Sequence, residues 1–226
     1  MKPTFLTYNE SIHEIVISGE HGEVQFYFLD RERGLHIRQS LQIHHPSKET
    51  SLSFHCLTFD KNETYHQRIF AACGQSINIS ETGGAQITCL DLAHNAVITA
   101  LCCYQPLEML VSASADGVIK VWDALWQLHH VFVGHTAAIT CLLPYPSPAC
   151  FVSAAADNTL RVWNLATLDL SLKLDAGHSV TDVLFMPSEP HMLITLGASH
   201  LALWNISHLY HHFAVLDEQV WFYIYT

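Results

Sequence analysis

Short runs of alternating apolar and polar residues, broken by turn-forming residues, fill most of this chain, and a period of two marks a half-buried β-strand. In Val118 to Asp123, Ile119 and Val121 face one way and Lys120 and Trp122 the other. In Thr159 to Asn164, Leu160 and Val162 oppose Arg161 and Trp163. Two apolar runs precede each of these, Ala96 to Tyr104 with Met109 to Ser114, and Ile139 to Leu143 with Cys150 to Ser153, with proline-containing turns between them. A fourth run follows each, Leu128 to Val133 and Leu168 to Leu174. The pattern predicts a four-stranded antiparallel meander that is used more than once.

Self-similarity along the chain agrees. The segments SADGVIKVWD, AADNTLRVWN and ASHLALWN carry tryptophans at 122, 163 and 204, 41 residues apart both times. The pairs Ala93-His94, Gly134-His135 and Gly177-His178 recur with their histidines 28, 28 and 26 residues before those tryptophans. Two markers on one period define a structural repeat. A Gly-His pair, a small-residue strand ending near Ser and Asp, then Trp-Asp, at about 41 residues per unit, resembles the WD-repeat β-propeller family. The resemblance implies an all-β fold, a β-propeller of four-stranded antiparallel blades. Clear units cover 94–132, 135–175 and 178–216. Weaker ones cover 12–43, where Tyr27 stands in the tryptophan place, and 53–90, which has no tryptophan.

At this period the 226 residues hold about five and a half units, fewer than the seven with which the family usually closes. The expectation is therefore about five blades, or an incomplete larger propeller. No convincing first strand precedes Glu14. Val220 to Tyr225 (VWFYIY), in the stretch 217–226, is a candidate closing strand that would complete the first blade and remove exposed edges.

The resemblance also implies a buried hydrogen-bonded set in each unit: His94, Ser112, Asp116 and Trp122, then His135, Ser153, Asp157 and Trp163. The third unit keeps His178, Thr195 and Trp204, but its turn Gly197-Ala198-Ser199 lacks the aspartate. Histidine, serine and aspartate together also evoke a catalytic triad. The set recurs per unit, however, as structural repetition requires and one active site does not. By the same family analogy Asn95, Ala115, Thr136, Ala137 and Ala156 sit on the loop face that meets partners. Leu125, Ala166 and Ser207 stand where some relatives carry the arginine that docks to ubiquitin ligases, so that role loses support.

Composition narrows the function classes. The formal charge of -11, with no Lys/Arg cluster, argues against nucleic acid. No apolar run is long enough to cross a membrane as a helix, and the first residues lack a secretory h-region, so an intracellular, cytoplasmic address is expected. Seven cysteines with no CxxC pair read as reduced, small core residues. There is no P-loop, GxSxG, HExxH or GxGxxG, and no catalytic residue, metal or cofactor is assigned. Seventeen histidines keep open a metal-dependent binding module or an enzyme using a His-rich channel. A fragment that folds only within a larger WD-repeat protein is a further alternative. The favoured expectation is a non-catalytic scaffold or adaptor that docks proteins or peptides and works within a larger assembly.

Overall fold

The computed structural model describes residues 2–9, 13–30, 34–44, 53–60, 67–145, 149–186 and 189–206. The period-two runs become strands, and each sheet pairs strands consecutive in the chain. The first sheet is β1 (Pro3–Asn9), β2 (Glu14–Gly19), β3 (Glu23–Asp30) and β4 (Gly34–Gln42). The second is β5 (Cys56–Phe59), β6 (Arg68–Cys73), β7 (Ser76–Glu81) and β8 (Gln86–Leu90). The third is β9 (Ile98–Tyr104), β10 (Met109–Ser114), β11 (Val118–Trp122) and β12 (Leu128–Val133). The fourth is β13 (Ile139–Pro144), β14 (Cys150–Ala155), β15 (Thr159–Asn164) and β16 (Asp169–Asp175). The fifth has three described strands, β17 (Val180–Met186), β18 (Glu189–Gly197) and β19 (Leu201–Asn205).

The first strands of successive sheets, β1, β5, β9, β13 and β17, are inner neighbours. The sheets therefore stand face to face around a ring, the arrangement of a five-blade β-propeller. Phe26, Phe54 and Ile69 join the first sheet to the second, and Phe70, Leu110 and Trp122 join the second to the third. Val121, Phe132 and Trp163 join the third to the fourth, and Val162, Leu193 and Trp204 join the fourth to the fifth. Burial of these side chains from water is the main force holding sheet to sheet. All seven cysteines are free thiols. Burial pushes Cys56 and Cys141 up to about 12, so they pack as neutral core groups.

The first sheet corrects one expectation: β1 supplies the first strand that the sequence did not disclose. Its run PTFLTYN mixes threonines with apolar residues, and among the described residues only one face has a sheet beside it, so the alternation is diluted. The sheet already has four strands, and a C-terminal strand is not needed to complete it. Val220 to Tyr225, the candidate closing strand, lies outside the described residues.

The residue in the tryptophan place meets a middle strand in every sheet. Trp122 pairs with Leu110 and Trp163 with Phe151, each the second residue of a middle strand, and Trp204 pairs with Leu193, the fifth residue of the longer β18. Tyr27 pairs with Ile15 and Ser80 with Ile69 in the same way. Tyr27 thus occupies the tryptophan place, on the side that in later sheets faces the preceding one.

Candidate interaction face

In the fourth sheet a continuous hydrogen-bonded chain runs from core to loop. Trp163 Nε1 donates to Ser153 Oγ at 2.8 Å, and Ser153 Oγ lies 2.7 Å from His135 Nε2. His135 Nδ1 lies 2.9 Å from Asp157 Oδ2. The carboxylate selects the tautomer in which Nδ1 carries the proton, so Nε2 accepts from the serine hydroxyl. Thr159, which sequence reasoning missed, donates to Asp157 Oδ1 at 2.7 Å, and the Thr136 N–H donates to Oδ2 at 3.0 Å. Burial works against charge on Asp157, but the donors Thr159, Thr136 and His135 outweigh it and hold its pKa at about 2. Burial drives the His135 pKa down, with Asp157 opposing.

This Ser-His-Asp geometry is that of a triad, yet Ser153 is fully buried and its oxygen is engaged by the indole. A nucleophile must reach a substrate, and this hydroxyl is closed off from solvent. The set is a brace between strands and loops.

The third sheet has a shorter chain. Trp122 Nε1 donates to Ser112 Oγ at 2.9 Å, and His94 Nε2 lies 2.7 Å from the same oxygen. Asp116 is not joined to this histidine; its carboxylate takes the Ser114 hydroxyl and the Val118 N–H instead. His94 Nδ1 is left buried without a partner. Burial, with Lys120 nearby, lowers the His94 pKa to about 4. In the fifth sheet Trp204 Nε1 donates to Thr195 Oγ1 at 2.9 Å. His178 does not join; it stacks on His200, ring centroids 4.9 Å apart.

These shifts fix an acid response. Below its ordinary 6.5, the unfolded histidine takes a proton that folded His94 refuses until about 4, so stability falls as pH drops through that window and is intact above it. His135 is lowered too and acts in the same sense. The Asp157 contribution is present above 3.8 and is lost as pH falls toward 2. A fluorimetric melting series from pH 8 to pH 4 should show a plateau at the alkaline end, then decline. A His94→Asn variant should show a shallower decline, and a flat native profile between 6.5 and 4 would contradict the assignment.

The loops that follow His94 and His135 meet the turns after β10 and β14 through backbone hydrogen bonds. Asn95, Ala115, Thr136 and Ala156 are exposed and Ala137 is half-buried. The Ala115 N–H donates to Val97 O at 2.9 Å, and Ala156 N–H to Ala138 O at 2.8 Å, so each turn alanine is tied to the loop leading into its own sheet. Gly117 connects the two groups across sheets. At φ +81 a Cβ there would stand 2.8 Å from His135 O and 3.1 Å from Ala137 O. Gly117→Ala should cost about 2–3 kcal/mol in denaturant unfolding, against about 1 kcal/mol for Gly74→Ala. Gly74 has positive φ but open space around it. Leu92 and Val97 are exposed apolar residues of the same loop as Asn95, which the motif reading did not single out. Their only sequence signal is position, in the link between two sheets.

Among the described residues no group of three or more His, Cys, Asp or Glu could hold a metal ion. Among the same residues no helix is long and apolar enough to cross a membrane.

Comparison with known proteins places the repeats. The family model described as WD domain, G-beta repeat matches residues 84–123 and 126–164. No curated protein matches the chain. A chain in the solved structure "Crystal Structure of Mitotic Checkpoint Complex" superposes with a TM-score of 0.71 at 18% identity, covering 88% of this chain and 60% of that one. At that identity the likeness concerns the fold, and this chain spans 60% of that chain's length.

Proposed function

We propose that this chain, which carries WD repeats in a five-blade β-propeller arrangement, is a non-catalytic scaffold that docks a protein or peptide partner on the end formed by Asn95, Ala115, Thr136 and Ala156. The observation that carries this reading is the mounting of the exposed loops. Asn95 and Thr136 directly follow the hydrogen-bonded His94 and His135 in the chain, and Ala115 and Ala156 are tied by backbone hydrogen bonds to the same two loops. A surface held rigid in advance loses little entropy when a partner binds. Alanines at the turns let a partner backbone approach closely, and Leu92 and Val97 beside them offer apolar anchor points. Propellers of this family typically serve as scaffolds, and variable loops on a rigid frame are the usual place for recognition. The setting is intracellular, within a larger protein assembly.

The test is a comparison of cross-linked partners for the native chain, Ala115→Arg, Ala156→Arg and, at the opposite end of the third sheet, Leu125→Arg. Partners should be lost with the two alanine variants and retained with Leu125→Arg, all variants melting like the native chain. Retention by all variants would overturn the assignment of this face.

A further inference from the structure

Two positions before the residue in the tryptophan place, the third strand of successive sheets carries Gln25, Asn78, Lys120, Arg161 and Ala202. On the described outer strands the residues across from the first four are Ser40, Cys89, Val131 and Lys173. Among the described residues, the fourth sheet is thus the one in which this pair joins two cations. Cross-strand partners project to the same side with Cβ atoms about 5 Å apart, so like charges there oppose folding. In a chain with 21 acidic residues against 10 basic ones, a carboxylate opposite Arg161 would have been the stabilising choice.

Arg161 is only 9% exposed, and a buried guanidinium ordinarily has a partner for its charge. Its Nε donates to Thr159 Oγ1 at 3.4 Å, and its central carbon lies 5.9 Å from the Trp163 ring centre. Among the described residues no ion pair includes Arg161 or Lys173, and the terminal guanidinium nitrogens have no hydrogen-bond partner. The acids on this side of the sheet are engaged by other donors. Asp157 takes Thr159, Thr136 and His135, and Asp175, two residues beyond Lys173 on β16, takes the Gly177 N–H.

The third sheet shows the same place satisfied, because Lys120 Nζ donates to Ala93 O at 2.6 Å. In the fourth sheet Gly134 replaces that alanine, and a Cβ there would collide with Arg161 Nη1, so glycine lets the guanidinium lie against the backbone. Burial lowers the pKa of the adjacent His135, Asp157 opposes, and Arg161 and Lys173 lower it further, so both cations face one histidine. Lys173 is exposed, which leaves the pair open to solvent on that side. A guanidinium supplies a planar fork of donors and an ammonium a point charge, the two elements that together hold a phosphate group. A carboxylate would balance one of the two cations. A phosphate monoester carries about -1.5 to -2 at neutral pH on three strong acceptor oxygens, and it balances both. An acidic stretch of polypeptide would spread its charge along a chain already at -11, whereas one phosphate concentrates its charge at the pair.

We propose that Arg161 and Lys173 form a binding site for a phosphate monoester carried on a side chain of a partner protein. The site rests on the docking role above for the presence of a partner. Its two cations lie outside the loop positions named for that role, so either assignment can fail without the other.

NMR titrations of the full chain, read at the Arg161 Nε–H and the Gly134 amide, test this at constant ionic strength. The probes are inorganic phosphate and three five-residue peptides, glycines flanking a central phosphoserine, aspartate or serine. The phosphoserine peptide should bind about 10-fold or more tightly than the aspartate peptide, and at least as tightly as inorganic phosphate. Lys173→Gln should weaken it by about 5-fold or more. Lys2→Gln, which removes an exposed cation paired with Glu20, should leave it unchanged, as should Ala115→Arg on the loop face. Arg161→Gln also disturbs the packing on Trp163, so the decision rests on Lys173→Gln. In phosphate-free buffer that variant should melt no lower than the native chain, since it relieves a like-charge contact. A lower melting point would make Lys173 a structural residue and overturn the proposal. Equal affinities for the phosphoserine and aspartate peptides, unchanged binding in Lys173→Gln, or an equal loss in Lys2→Gln would overturn it too. Tighter binding of inorganic phosphate than of the phosphoserine peptide would overturn the assignment to a partner's side chain.

Discussion

Trp163→Ala should lower unfolding stability by about 3–5 kcal/mol, the largest effect expected of any single substitution in the repeat. Trp163 packs against Phe132 with ring centroids 5.0 Å apart, lies near His135 at 6.3 Å, and carries the Arg161 guanidinium 5.9 Å from its ring centre. Truncation leaves a cavity where the third and fourth sheets meet and removes the donor to Ser153. Domains of this size hold about 5–15 kcal/mol in total, so the variant should unfold at much lower denaturant. The check is a urea titration followed by circular dichroism. Leu125→Ala, at an exposed turn, should stay within about 0.5 kcal/mol. Equal midpoints for the two variants would refute the role given to the tryptophan.

Ser153→Ala should cost about 2–4 kcal/mol although it removes a single atom. It strips the acceptor from Trp163 Nε1 and the donor from His135 Nε2, and each buried group left unpaired costs about 1–3 kcal/mol. Ser153→Thr should recover most of the loss, because Thr195 already fills this place in the fifth sheet and accepts from Trp204 at 2.9 Å. Thermal melts of the three proteins give the comparison. A threonine variant as unstable as the alanine one would show that packing, rather than the hydroxyl, matters at 153.

The tryptophan-bearing sheets and their register were readable from spacing alone, because a buried indole, its partner strand and the loop histidine recur on one period. The composition of each hydrogen-bonded set was not. Asp116 and Asp157 occupy the same place in the motif, yet only Asp157 meets its histidine. Ser114 stands two residues before Asp116 and takes its carboxylate, whereas Ala155 at the matching position has nothing to offer. Thr159 then adds a hydroxyl where the third sheet has Val118. Such choices turn on one neighbouring side chain, which a repeat average hides. β1 was obscured for a different reason: a sheet covered on one side by described residues leaves a weak alternation. The proposed loop face rests on family analogy, and the exposed apolar residues Leu92 and Val97 of the same loop became visible once the loop was placed in space.

Every described strand pairs with a strand next to it in the chain, and each sheet rests on the one made before it. Strand pairing is therefore local in sequence, while contacts between sheets reach about one repeat away, as from Thr140 Oγ1 to Val180 O. During synthesis the third sheet can be complete before the fourth has left the ribosome, so assembly proceeds in the direction of translation. Each new sheet buries the exposed flank of its predecessor, and the growing end always presents one uncovered apolar layer. The period of greatest aggregation risk is thus set by elongation, and slow codons placed just after a completed sheet would lengthen it.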